Sequence, residues 1–316
     1  MITATRQPGQ RRWLLATALV AGTLLAAIGL PSTARAQFEV SLQLDKRNYV
    51  EHENIKATVT IQNYAGADVV LAGPGETGWI SFDVTDISIG TQPRPIGVRG
   101  ALDVPPRVLA AGERFTTNIT LNRFYPLNQF GSYAIKCSIY YAGSGEFYDS
   151  NRVTLQVQDA NKFWEKAVGV PPGYPDAGAI RRYELLRYRE QRQAMLYVRV
   201  RDERSQQVHA TFPLGNLIEH ESPQVTTDYT NRMHVLFLTA PRVYVHAIVN
   251  PDGSVGAIHL HEDNGGARPT LTQTNTQEVA VRGGADYIPP RPGDPIDGDA
   301  DGQPGFRSMS DRPTGF

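Results

Sequence analysis

The chain has 316 residues, 41% of them hydrophobic, with 31 basic and 32 acidic side chains. That near-balance excludes the strong positive field needed for wholesale nucleic-acid binding. The single cysteine, Cys137, excludes an internal disulfide.

Residues 1–36 read as a cleavable export signal. Arg6, Arg11 and Arg12 form a positive start, Trp13 to Leu30 is an uncharged apolar run, and Ala34-Arg35-Ala36 supplies a small-x-small cleavage site. Arg11-Arg12 also fits a twin-arginine signal. The run is borderline for spanning a bilayer, and no later run is long enough. Gln37, not a cysteine, directly follows the cleavage site, which argues against a lipid anchor. All charges in this leader are arginines, so the remainder of the chain is net negative.

Residues 37–158 predict an antiparallel β-sandwich. Phe38, Val40, Leu42 and Leu44 alternate, as do Ile55, Ala57, Val59 and Ile61. Further strands are expected at Val69 to Leu71, Trp79 to Val84, Phe115 to Leu121, Ser132 to Tyr141 and Val153 to Val157. Short strands between turn signals, with no amphipathic helix, specify a sandwich. Cys137 alternates with Tyr133, Ile135 and Ile139, which makes it a core residue and not an accessible nucleophile. The long stretch from Asp86 to Pro106 is either a functional loop or an edge hairpin.

Two sets of residues carry a resemblance. Leu44-Asp45-Lys46, Tyr49, Glu53 and the alternating strand ending at Asn63 resemble the opening of immunoglobulin-like domains of the macroglobulin and bacterial proteinase-inhibitor type. Ala111-Gly112-Glu113 and Gly131-Ser132-Tyr133 resemble the closing half. The resemblance implies an Ig-like fold and a tyrosine corner, with Tyr133 bonding back to the chain. The pattern departs from antibody domains at Cys137, which stands four residues after Tyr133 and has no partner cysteine.

Residues 159–181 read as a linker. Asp159 would cap a short helix carrying Phe163, Trp164 and Ala167, ended by Gly169 and Pro171-Pro172. Residues 182–283 read as a second small all-β domain, a sandwich or barrel, with about nine short strands. Its best-specified part is Met233 to Leu238, Val243 to Val249 and Val255 to Leu260, where Asn250-Pro251-Asp252-Gly253 forms a turn. Residues 284–316 read as a disordered Pro/Gly/Asp-rich tail.

Three constellations suggest chemistry. His259 and His261 share a strand face, and with His234 and His246 they would make a zinc-type metal site; otherwise they are structural or solvent-facing. Asp297, Asp299 and Asp301 match the first half of a calcium loop, but Ser308 stands where the bidentate Glu belongs, so the stretch also reads as an acidic tail. Arg187 with Arg189, and Arg199 with Arg201, form paired basic faces that suit an anion or a solvated outer surface.

No nucleophile elbow, phosphate loop or dinucleotide fingerprint occurs, so no catalytic residue is assigned. The reading is of a periplasmic or secreted, non-catalytic binding or adaptor protein whose partner is another envelope protein. The alternatives are a proteinase inhibitor acting through residues 86–106 and a metal-dependent hydrolase at the histidines. The binding reading predicts an exposed apolar patch on one domain.

Overall fold

The computed structural model describes residues 37–73, 78–90, 92–100, 102 and 104–289. Residues 1–36, read above as an export signal, and the aspartates Asp297, Asp299 and Asp301 lie outside the described residues. Those described form an all-β structure with two separate hydrophobic cores.

The first core lies in a sandwich of eleven strands. They are β1 Phe38–Leu44, β2 Asn48–Val50, β3 Lys56–Asn63, β4 Val69–Leu71, β5 Ile80–Asp86, β6 Arg94–Pro95, β7 Arg107–Leu109, β8 Arg114–Thr120, β9 Gly131–Tyr141, β10 Glu146–Asp149 and β11 Val153–Gln158. One sheet runs β1-β3-β8 and the other β2-β11-β9-β5-β6, with β10 also on β9 and β4 paired to β7. Alternation works as expected: Leu42, Val59, Ile61, Ile135 and Ile139 fill the core, and most of their neighbours are more exposed, though Ala134 is buried as well. Cys137 is fully buried, and burial pushes its thiol up to about 12. Tyr133 Oη donates to Gln129 O at 2.9 Å, the bond back to the chain implied by the Gly-x-Tyr motif. The stretch after Asp86 is an edge hairpin, with Thr85 opposite Pro95 and Asp86 opposite Arg94.

The second core lies between two meander sheets. Their strands are β12 Asn161–Gly169, β13 Ile180–Glu190, β14 Gln193–Asp202 and β15 Val208–Leu217, then β16 Gln224–Thr227, β17 Met233–Ala240, β18 Val243–Val249 and β19 Val255–Glu262, with β20 Thr270–Gln273, β21 Val279–Arg282 and β22 Ala285–Asp286. The sheet orders are β12-β13-β14-β15 and β16-β17-β18-β19-β22, so this unit is a sandwich and not a closed barrel. Tyr183, Leu185, Leu196 and Val198 meet Met233, Val235, Phe237 and Ala247 between them. Gly253 takes the left-handed conformation the turn demands, with φ 86°. A Cβ there would sit 2.8 Å from that of Ala210.

Two expectations are corrected. The helix expected after Asp159 is strand β12, paired along its length with β13. A bulge between Lys162 and Trp164 puts Phe163 and Trp164 out of simple alternation, which imitates a helical spacing in the sequence. The tail also begins later than residue 284, because Ala285 and Asp286 pair with Glu262 and His261.

Candidate functional site

Alternation on β17, β18 and β19 sends one set of side chains into the core and the other to the outer face of the sheet. The outer set holds all four histidines singled out above. His246 lies opposite His259 in the β18–β19 register, and Leu236 opposite His246 in β17–β18. The His234 and His246 rings stack with centroids 5.2 Å apart, and His246 stands 5.9 Å from His259 and 6.2 Å from His261. Hairpin β20–β21 covers the neighbouring part of this face, where Leu271 and Val281 pack on Leu236, Leu238 and Tyr244. His234 and His246 are buried, His261 half-buried and His259 exposed.

Hydrogen-bond order fixes the protons in the neutral state. Asp228 is a buried carboxylate and can only accept. It takes bonds from Thr230 Oγ1 and from Arg232 Nε, both at 2.7 Å, and from His234 Nε2 at 3.3 Å. His234 Nδ1 is then the acceptor for His246 Nε2–H at 3.0 Å. Burial pushes Asp228 up, but the bonds from Thr230, Arg232 and His234 outweigh it and hold its carboxyl below the ordinary range. Burial, and then the charges His234, His259 and His261 would carry, lower His246 from 6.5 to about 4. His234 and His261 are lowered too, first by burial. His234, His246 and His261 are therefore neutral at neutral pH. The stacked His234 and His246 rings share one bond, and His259 and His261 stand tilted beside them. Among the described residues, no three or more His, Cys, Asp or Glu side chains are grouped so as to hold a metal ion.

The arginines are matched by acids. Arg187 and Arg189 both reach Glu219, the former at 2.9 Å. Arg201 bonds Glu184 at 2.8 Å, and Arg199 reaches the Glu51 carboxylate at 3.4 Å and its carbonyl at 3.0 Å. Glu184 is only 3% exposed, so it takes the charge of Arg201 within the sheet face. Glu51, Glu184, Arg199 and Arg201 line a cleft of about 460 Å³ between the sandwiches, with His52, Asp159 and Lys162.

Beside that cleft is a cluster that sequence reasoning did not assign. Lys46 Nζ donates to Glu53 Oε1 at 2.6 Å and to Tyr197 Oη at 3.0 Å, reaching from the first sandwich to the second. It also lies 5.0 Å from the Tyr49 ring centroid and 5.4 Å from that of Tyr197. Glu53 Oε2 accepts the Val50 N–H at 3.0 Å. Val50, Ala160, Leu186, Tyr188 and Tyr197 close an apolar contact around it. The signal was present: Asp45, Lys46, Tyr49 and Glu53 are the residues that carried the Ig-like resemblance, and they build the junction between the two units.

Comparison with known proteins adds little. No protein-family model and no curated protein matches the chain. Among solved structures, the chain is similar to Spo0M, a sporulation control protein from Bacillus subtilis. The identity is 10%, the match covers 57% of this chain and 91% of that one, and the TM-score is 0.28. No helix among the described residues is long and apolar enough to cross a membrane.

Proposed function

We propose that the chain is an exported, non-catalytic binding module of the bacterial envelope. It recognises another protein through the loop end of its first sandwich. The observation that carries this reading is the apolar exposure there. Ile89 is 100% exposed, and Val98 and Phe130 are each 56% exposed. They belong to one end of the unit, because Ile87 N–H bonds Ser132 O at 2.8 Å and Arg99 N–H bonds Phe124 O at 2.6 Å. Apolar side chains gathered on a rigid frame are what a protein partner buries. The Tyr133 corner bond supports reading that frame as Ig-like. Export, periplasmic or beyond, rests on the leader in residues 1–36. The test is retention of an envelope protein by the immobilised chain, repeated with the purified candidate. Ile89→Ser/Val98→Ser/Phe130→Ser should abolish retention. Undiminished retention by that variant would overturn the reading.

A second reading has one observation in its favour. The β5–β6 hairpin holds Arg94 and Pro95 exposed, and Arg99 is exposed nearby. An exposed arginine suits the acidic specificity pocket of a trypsin-like proteinase. Stoichiometric inhibition lost in Arg94→Ala/Arg99→Ala would select this reading; no inhibition would remove it. The metal-dependent hydrolase reading finds its histidines together but not convergent, so it is not preferred.

A further inference from the structure

Edge strands offer unpaired backbone groups to other chains unless something guards them. The edges of this molecule are guarded in several ways, and β8 is an exception. On β1, Tyr64 N–H bonds Gln37 O and Asp45 N–H bonds Lys56 O, which turns the odd-numbered residues toward β3. Leu42 therefore points outward, and the Asn151 amide occupies both of its groups, at 2.9 and 3.0 Å. The short edge β6 ends in Pro95, and four-residue β10 carries Glu146 and Asp149. Strand β12 has its bulge, with Lys162 and Lys166, and β15 has Pro213 and two register shifts. Strand β16 is tied to β20 through Gln224 and Thr226, and β19 pairs with β22.

Strand β8 carries no proline, bulge or bridging side chain over its seven residues, and a single charge, Arg114 at its start. Leu121 N–H bonds Ile55 O at 2.9 Å and Asn63 N–H bonds Glu113 O at 3.0 Å. These bonds continue the β3–β8 register, so Phe115, Thr117 and Ile119 exchange backbone bonds with β3. The N–H and C=O groups of Arg114, Thr116, Asn118 and Thr120 point the other way. Among the described residues, no hydrogen bond reaches those groups. Phe115, though it faces inward, stays half-buried, as expected at an open edge.

We propose that β8 is a self-association edge, paired antiparallel with β8 of a second copy of this chain about a two-fold axis at Thr117. This stands apart from the binding reading above. The phase fits, because outward-pointing residues then meet one another: Thr116 lies opposite Asn118 of the partner subunit, and Arg114 opposite Thr120 of the partner subunit. The charges fit as well. Arg114 is the only ionised side chain on β8 and avoids its own copy. Apart from Arg114 the outer row of β8 is neutral and polar, as where Thr58 Oγ1 already bonds Asn118 Oδ1 at 2.8 Å across β3 and β8. Two three-stranded sheets would become one of six strands, with Phe115 and Ile119 continuing a single inner face.

The test is sedimentation of the purified chain over its soluble concentration range. The wild type should dimerise. Thr116→Pro removes an outward N–H and leaves the β3 ladder whole, so it should give a monomer with an unchanged thermal transition. Asn118→Lys sets two ammonium groups diagonally across the junction and should raise the dissociation constant about tenfold or more at low salt. A wild type that stays monomeric overturns the proposal, including one that binds a foreign strand at this edge. So does a dimer that persists in folded Thr116→Pro. If Thr116→Pro does not fold, an unchanged dissociation constant in Asn118→Lys overturns it.

Discussion

Lys46, half-buried, and His246, buried, stand in two polar clusters that differ in charge. At Lys46 a cation meets a carboxylate, a phenol and two ring faces, and the cluster joins two units. At His246 neutral imidazoles pass protonated edges along one face of a single sheet and end on Asp228. The first arrangement depends on a partner charge staying in place. The second depends on no charge arriving. Removing a residue tests one cluster, and adding protons tests the other.

The largest effect is expected at the junction. Lys46→Ala leaves Glu53, 7% exposed, without its cation and should cost about 3 kcal/mol in denaturant unfolding. Lys46→Met/Glu53→Gln removes both charges and should recover most of that loss. A double variant as unstable as the single one would show that the ion pair is not what matters there.

Acid should act next, and on the other cluster. His246 is lowered to about 4 in the folded chain, so the unfolded chain takes up the proton first. Its contribution is complete above the ordinary value of 6.5 and fades as pH falls toward 4. About 2 kcal/mol should disappear over that window. His246→Gln should flatten the dependence measured by thermal unfolding at stepped pH, and an unaltered slope would place the acid sensitivity elsewhere.

Smaller effects sharpen the contrast by probing the first core at positions outside both clusters. Tyr133→Phe deletes one bond to Gln129 O and should cost about 1 kcal/mol without changing the pH dependence. Cys137, with its thiol pushed up to about 12, should resist alkylation at neutral pH until the chain is denatured. Labelling in the folded state would mean that the first core opens locally.

Much of the fold was legible because alternation survives in the sequence wherever a sheet has one wet face. Leu42, Val59 and Ile135 were all placed by that pattern. Strand β12 was misread because its bulge shifts Phe163 and Trp164 by one position, and one position is the whole signal in a strand. Of the histidines, His259 and His261 were legible as sharing a face, since parity along a strand determines sides. The cluster's stacking, and the burial of His234 and His246, depend on strand register and on hairpin β20–β21, which parity does not supply. The junction was hidden for a different reason. Lys46 and Tyr197 are far apart in the chain, and no local pattern links them.

The two strand orders have a consequence in time. In the second sandwich each sheet is a meander, so almost every pairing joins neighbours along the chain and closes a short loop. In the first sandwich β2 waits for β11, with Asn48 against Gln156, and β3 waits for β8. Non-local pairing slows the search for the native state. The half of the molecule that leaves the ribosome last is thus the half expected to settle first, offering Tyr197 as a finished surface on which Lys46 and its neighbours come to rest.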